Sequence, residues 1–163
     1  MKLTRAHIDE VLRAVGEEPA ATAFAAVATI AQATCGFRML TVLRYDEPAG
    51  EVVRLYSSDP AYPVGGRKSL AAYTLNHAVM AADGCFLAAD ADSIRRAFAD
   101  HERLFALGIT AILNAQVRVS GRRLGTLNLS GTQGQYGAEE VATARLLAGL
   151  IAPLLAVNPP DVS

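Results

Sequence analysis

A chain of 163 residues, 52% hydrophobic and 19% charged, is long enough for one hydrophobic core and too apolar to be disordered. Its 15 basic and 16 acidic residues leave a formal net charge of -1, and Lys2 and Lys68 are the only lysines, so neither a nucleic-acid footprint nor a polybasic membrane patch is expected. Cys35 and Cys85 are too few for a disulfide framework, and the longest apolar stretch, Leu146 to Val157, is broken by Gly149 and Pro153 and too short for a bilayer. With no apolar signal core after Met1, a reducing, bacterial-type cytoplasm is the expected compartment.

In chain order, Thr4 is placed to cap a first helix, on which Ile8, Val11, Leu12 and Val15 form one stripe and Gly16 is the expected stop. Pro19 suits the first turn of a second, alanine-rich helix from Ala20 to Cys35, closed by Gly36. At Phe37 the pattern changes to strand formers. Phe37 to Tyr45 and Val52 to Ser58 read as a hairpin around Asp46 to Gly50. Asp59 to Arg67 reads as a loop, and Ser69 is placed to cap a helix running to about Ala81. Cys85 to Ala88 reads as a short strand. Asp90 and Asp100 are each placed to cap a short helix, the second ending at Gly108. Ile109 to Val119 and Leu124 to Ser130 form a second hairpin around Ser120-Gly121-Arg122, and a glycine-rich loop leads to a last helix from Ala138 to about Val157. One domain over 1–157 is expected, with a frayed tail at 158–163 carrying Pro159-Pro160.

Phe98-Ala99-Asp100-His101-Glu102-Arg103-Leu104-Phe105, then Leu107-Gly108-Ile109-Thr110-Ala111, Leu113 to Val117 and Leu124-Gly125-Thr126-Leu127-Asn128-Leu129 carry a resemblance. Together with the element order, and with Tyr136 and Glu139 opening the last helix, they resemble the GAF domain family over nearly the whole chain. The segment Tyr62-Pro63-Val64-Gly65-Gly66-Arg67-Lys68 is most similar to free-standing bacterial members. One departure is Gln116, where many members carry proline. The resemblance implies an α/β (α+β) fold: a central antiparallel sheet of five or six strands, with the terminal helices on one face. It places a ligand pocket under middle helices and loops on the other face. It also implies dimerisation through the first, second and last helices.

Alternation along the second hairpin puts Ala111, Leu113, Ala115 and Val117 on one face, continued by Leu127 and Leu129. Ile112, Asn114, Gln116, Thr126, Asn128 and Ser130 take the other. Neutral polar groups on central strands need partners, so Asn114 and Asn128 are candidate ligand contacts, with loop backbone as the alternative partner. Arg54, Tyr56 and Ser58 alternate onto one face of the first hairpin. Tyr56 is assigned to the pocket, and Arg54 rather to a solvated edge. Tyr62 and Tyr73 are candidates for an aromatic wall, against the general tendency of such residues to be core. His101 is a candidate contact beside Phe105. Gly65 to Ser69 lacks P-loop spacing, and no His stands in a metal-ligand pattern, so no metal and no cofactor is expected.

A small-molecule-binding sensory or regulatory domain without catalytic machinery is the preferred functional expectation. Its ligand is unidentified, and its output goes to a possible separate protein. The rival is a cysteine-dependent reductase of free methionine sulfoxide, a chemistry some GAF domains perform, with Cys85 as the candidate thiol. It needs an activated thiolate, and the cysteine motifs of that group are missing around the second hairpin. A ligand-free interaction domain is the third possibility. The last helix carries Leu146, Leu147, Leu150, Ile151, Leu154 and Leu155 on more than one face. Its surplus is covered either by a second copy or by the first helix of the same chain.

Overall fold

The computed structural model describes residues 1–77, of which 74–77 by backbone alone, and residues 83–157. The expected end of the third helix near Ala81 and the tail at 158–163 lie outside the described residues. The element order is α1 (Arg5–Glu17), α2 (Ala20–Thr34), β1 (Met39–Asp46), β2 (Glu51–Ser57), β3 (Arg67–Ser69), α3 (Leu70–His77), β4 (Cys85–Ala88), α4 (Ala91–Ala97), α5 (His101–Ala106), β5 (Ala111–Val119), β6 (Arg122–Gly131) and α6 (Ala138–Ala156). Among the described residues the strands form one six-stranded sheet in the order β3-β2-β1-β6-β5-β4. All its pairings are antiparallel.

Local chemistry explains most boundaries. The Thr4 side chain accepts from the His7 backbone N–H while the His7 ring accepts from the Thr4 N–H, a reciprocal cap on α1. Gly16 does not end α1. The helix runs one residue further, and Pro19 forces the preceding chain into extended geometry. Gly36, at φ 72, makes the left-handed turn after α2. Ser120 (φ 49) and Gly121 (φ 77) supply the two positive φ angles of a tight hairpin turn. One strand was not expected: Arg67–Ser69, read as loop and cap, pairs with β2 through Val53↔Arg67, Val52↔Lys68 and Glu51↔Ser69.

The two faces of the sheet are packed differently. Helices α1, α2 and α6 cover one of them. Leu113, Ala115 and Val117 of β5, Leu127 and Leu129 of β6, and Leu40 and Val42 of β1 meet Val27, Leu147, Ile151 and Leu155 there. Each such large side chain contributes about 1.5–3 kcal/mol by leaving water. Gly125 permits the close fit: a Cβ there would collide with the Leu43 carbonyl oxygen and sit 2.8 Å from Leu155 Cδ2. The other face is roofed by the loop around Tyr62, by α3 and by α4–α5, over two smaller apolar clusters. Among the described residues no helix is long and apolar enough to cross a membrane.

Candidate functional site

The alternation expected for β5 and β6 holds, with Asn114↔Asn128 and Ala115↔Leu127 paired in register. Asn114 and Asn128 therefore lie side by side on the roofed face, both buried. The Asn114 Nδ2 donates to Asn128 Oδ1, and Asn128 Nδ2 donates to Thr41 Oγ1 at 3.1 Å. This chain of amides and hydroxyl leaves Asn114 Oδ1 buried without a partner among the described residues. A buried acceptor left unpaired in this way costs about 1–3 kcal/mol unless something else supplies a donor.

Above this floor is a cavity of about 50 Å³. That is room for on the order of four waters. Thr41, Asn114, Asn128 and Ser130 form its polar floor, and Met39, Leu43, Phe98, Leu104 and Ile112 its apolar walls. Tyr62, Tyr73, Arg54, Lys68 and Asp100 complete it from the roof side. The Tyr73 hydroxyl is 2.7 Å from Thr126 Oγ1, and burial pushes its pKa far up, so the ring stays neutral. The Tyr62 hydroxyl donates to Asp100 Oδ2 at 2.6 Å. Burial, then that bond and the charge of Asp100, raise the Tyr62 pKa.

Asp100 was expected to cap α5. It stands at the cap position, but its side chain makes no cap hydrogen bond and serves Tyr62 instead. Asp90 does cap α4, accepting from Ser93 N–H at 2.8 Å. The difference decides where a carboxylate ends up: one is spent on its own helix, the other points to the cavity.

Tyr56 does not reach the cavity. A bulge in the β1–β2 pairing, where Val42↔Tyr56 is followed by Leu43↔Arg54, inserts Leu55 as an extra residue. Arg54 and Tyr56 thereby part to opposite faces. Tyr56 packs on the helix side, its ring 6.1 Å from that of Phe24. Arg54, read as a solvated edge residue, instead lines the cavity. Its Nη1 donates to the Pro63 carbonyl at 2.9 Å, and its Cζ lies 5.1 Å from the Tyr62 ring centroid. Gly66 makes room for it, because a Cβ there would strike Nη1. Burial lowers the Arg54 pKa, and Nε is buried without a partner among the described residues.

His101 and Phe105 also stay outside the cavity lining. The half-buried His101 ring holds Nδ1 2.9 Å from the Phe98 carbonyl and lies 5.9 Å from the Phe105 ring. Phe105 packs on the Ile94–Leu104 cluster, under the Arg95 guanidinium. Of the seven residues proposed from sequence, Tyr62, Tyr73, Asn114 and Asn128 converge. Tyr56, His101 and Phe105 do not.

Lys68 was missed, because the sequence shows a glycine-flanked basic loop there and not a strand. Pairing with Val52 turns it onto the roofed face. The residue as a whole is exposed, with its Nζ 4.4 Å from the Tyr73 ring centroid at the border of the cavity. Crowding at that end lowers its pKa through desolvation. Cys85 lies on the helix side, opposite Ala115, and is buried in that core. Burial first, and then the charge of Asp83, push its thiol up to about 11. Cys35 follows α2, half-buried, with its thiol also raised by burial.

Sheet order, helix placement and a roofed polar face define the GAF fold, and the comparison with solved structures bears this out. The GAF domain of a phosphoenolpyruvate-protein phosphotransferase from Coxiella burnetii superposes with a TM-score of 0.73 at 19% identity, over 93% of this chain and 91% of that one. Free methionine-R-sulfoxide reductase from Neisseria meningitidis, in complex with its substrate, has a TM-score of 0.69 at 14% identity, over 93% and 87%. The phycocyanobilin-bound GAF domain of a cyanobacterial phytochrome has 0.68 at 14% identity, over 96% of each chain. The sequence itself matches no protein-family model and no curated protein.

Proposed function

We propose that this chain is a small-molecule-binding sensory or regulatory domain of the cytoplasm, acting as a homodimer and without catalytic machinery of its own. The observation that carries this reading is the cavity floor. Asn114, Asn128 and Thr41 form a hydrogen-bonded row beneath an open space, and the row ends in an unpartnered acceptor. Convergent polar groups among apolar walls are the usual form of a ligand site. Two neighbours of the same fold hold a small molecule, phycocyanobilin in one and a substrate in the other.

Dimerisation is supported by large apolar groups left in water on helices that touch each other. Leu12 of α1 is 52% exposed and Leu146 of α6 is 41% exposed. Helices α1 and α2 cover part of α6 and leave Leu146 out. A separate output protein receiving the signal is part of the same proposal. The reductase alternative draws on the Neisseria neighbour. Two placements count against it: Cys85 faces the helix core rather than the cavity, and its thiol is held in the protonated form.

Native mass spectrometry of the purified protein, compared with denatured spectra, tests both parts. A dimer that carries a small molecule lost on denaturation is the expected result. A monomer would remove the dimer proposal. An empty protein that binds nothing from a fragment screen would favour a closed interaction domain. If methionine sulfoxide reductase activity were found and lost in Cys85→Ser, the enzymatic reading would replace this one.

A further inference from the structure

The charge around the cavity does not balance. Arg54 and Lys68 line it, and Arg103 stacks on its Tyr62 wall with Cζ 4.0 Å from the ring centroid. Against these three cations the one carboxylate among the described lining residues is Asp100, which already accepts from the Tyr62 hydroxyl at 2.6 Å. None of the three joins an ion pair among the described residues. Desolvation is the largest cause lowering the pKa of Arg54 and of Lys68; Arg103 lowers the first and Arg54 the second by less than the opposing pull of Tyr62 on Arg54 and of Asp100 on Lys68. Lys68 and Arg103 are exposed and Arg54 half-buried, so an anion entering the cavity would meet a positive rim.

The position of the cations is built rather than incidental. Arg54 is aimed by its bond to the Pro63 carbonyl and by the space at Gly66, and its Nε is left as a buried, unused donor. Lys68 is brought over Tyr73 by strand pairing. A second unused group among the described lining residues is an acceptor, the buried Oδ1 of Asn114. The apolar lining is mostly aliphatic, from Met39, Leu43, Leu104 and Ile112, with Phe98 as an aromatic member.

We propose that the cavity takes a small aliphatic carboxylate bearing a hydrogen-bond donor next to the carboxyl group, its charge held by Arg54 and Lys68 and its donor by Oδ1 of Asn114. This rests on the cavity being a binding site. A cavity of about 50 Å³ favours a ligand of a few heavy atoms over a nucleotide. The apolar walls favour a carbon body over a bare inorganic anion.

Calorimetric titration and amide NMR spectra of the full chain, with lactate, propanoate, lactamide and inorganic phosphate as probes, give the test. Lactate is expected to bind and to move the Asn114 side-chain resonances. Propanoate, lacking the donor, and lactamide, lacking the charge, should each bind about tenfold or more weaker, as expected for one lost hydrogen bond in a buried site. Lys68→Met, on a short edge strand away from the core, and Arg54→Met should each weaken lactate by about tenfold or more. Asn114→Leu should erase the preference for lactate over propanoate. Lactamide binding as well as lactate, phosphate alone binding, or wild-type affinity in a folded Lys68→Met variant would overturn the carboxylate assignment. So would a neutral ligand found by mass spectrometry, while leaving the binding reading intact. Failure of every probe together with an empty native spectrum would overturn both.

Discussion

The two faces of this sheet use the same strands for opposite ends. On the helix side, β1, β5 and β6 present Leu40, Val42, Leu113, Ala115, Leu127 and Leu129 to α2 and α6, and the contact is closed. On the roofed side the intervening residues of the same strands are Thr41, Asn114, Asn128 and Ser130, and the contact leaves a cavity. Period-two alternation makes this division possible, since each strand serves both faces at once. The apolar face holds the fold, so the other face is free to keep polar groups whose partners are incomplete. Stability and the proposed binding are thereby placed on different residues of the same strands.

The sharpest way to break this division is to attack the closed face. Leu113→Ala, at a fully buried position, should cost about 2–5 kcal/mol in urea unfolding, through lost burial plus the cavity left behind. Gly125→Ala should cost about 1–3 kcal/mol, because the new methyl meets the Leu43 carbonyl and Leu155. On the roofed face Asn128→Leu should cost about 1–3 kcal/mol by stranding Asn114 Nδ2 and Thr41, and it should also remove binding. If Asn128→Leu proved neutral for both, the polar row would be no more than loop support.

Smaller effects sharpen the comparison. The Cys85 thiol is neutral in the folded core, with its pKa raised from 9.0 to about 11. Its contribution is therefore fully present below the unfolded-state value and lost as pH rises through the folded one. Unfolding followed between pH 9.0 and about 11 should show declining stability, and Cys85→Ala should flatten part of that decline. Smallest for function is Tyr56→Ala. It should lower stability through the lost packing on Phe24, yet leave binding of any cavity ligand unchanged. Loss of binding there would mean that the two faces are coupled through the β2 bulge.

The local signals read true where one residue decides one feature. Thr4, Gly36, Asp90 and the Ser120-Gly121 turn acted as their chemistry dictates. The polar floor was legible too, because β5 and β6 are regular in the stretch that carries Asn114 and Asn128. Tyr56 was misplaced because a bulge is a property of two strands in register, and nothing in Val52 to Ser58 alone announces the extra residue. Lys68 was missed because β3 is three residues long and exists only through its pairing with β2. Asp100 was read as a cap, since the competing partner Tyr62 lies 38 positions away in the chain.

The sequence by itself determined the periodicity, and with it the amphipathic first helix, the two hairpins and the row of amides on one face of the second hairpin. These follow from side chains repeating every two or roughly every 3.6 residues, which no distant contact is needed to reveal. Only the tertiary structure decided which charges meet above that row. Arg54, Lys68 and Asp100 come from three separate segments, and they converge because a bulge, an edge pairing and a diverted cap each depend on a partner far along the chain.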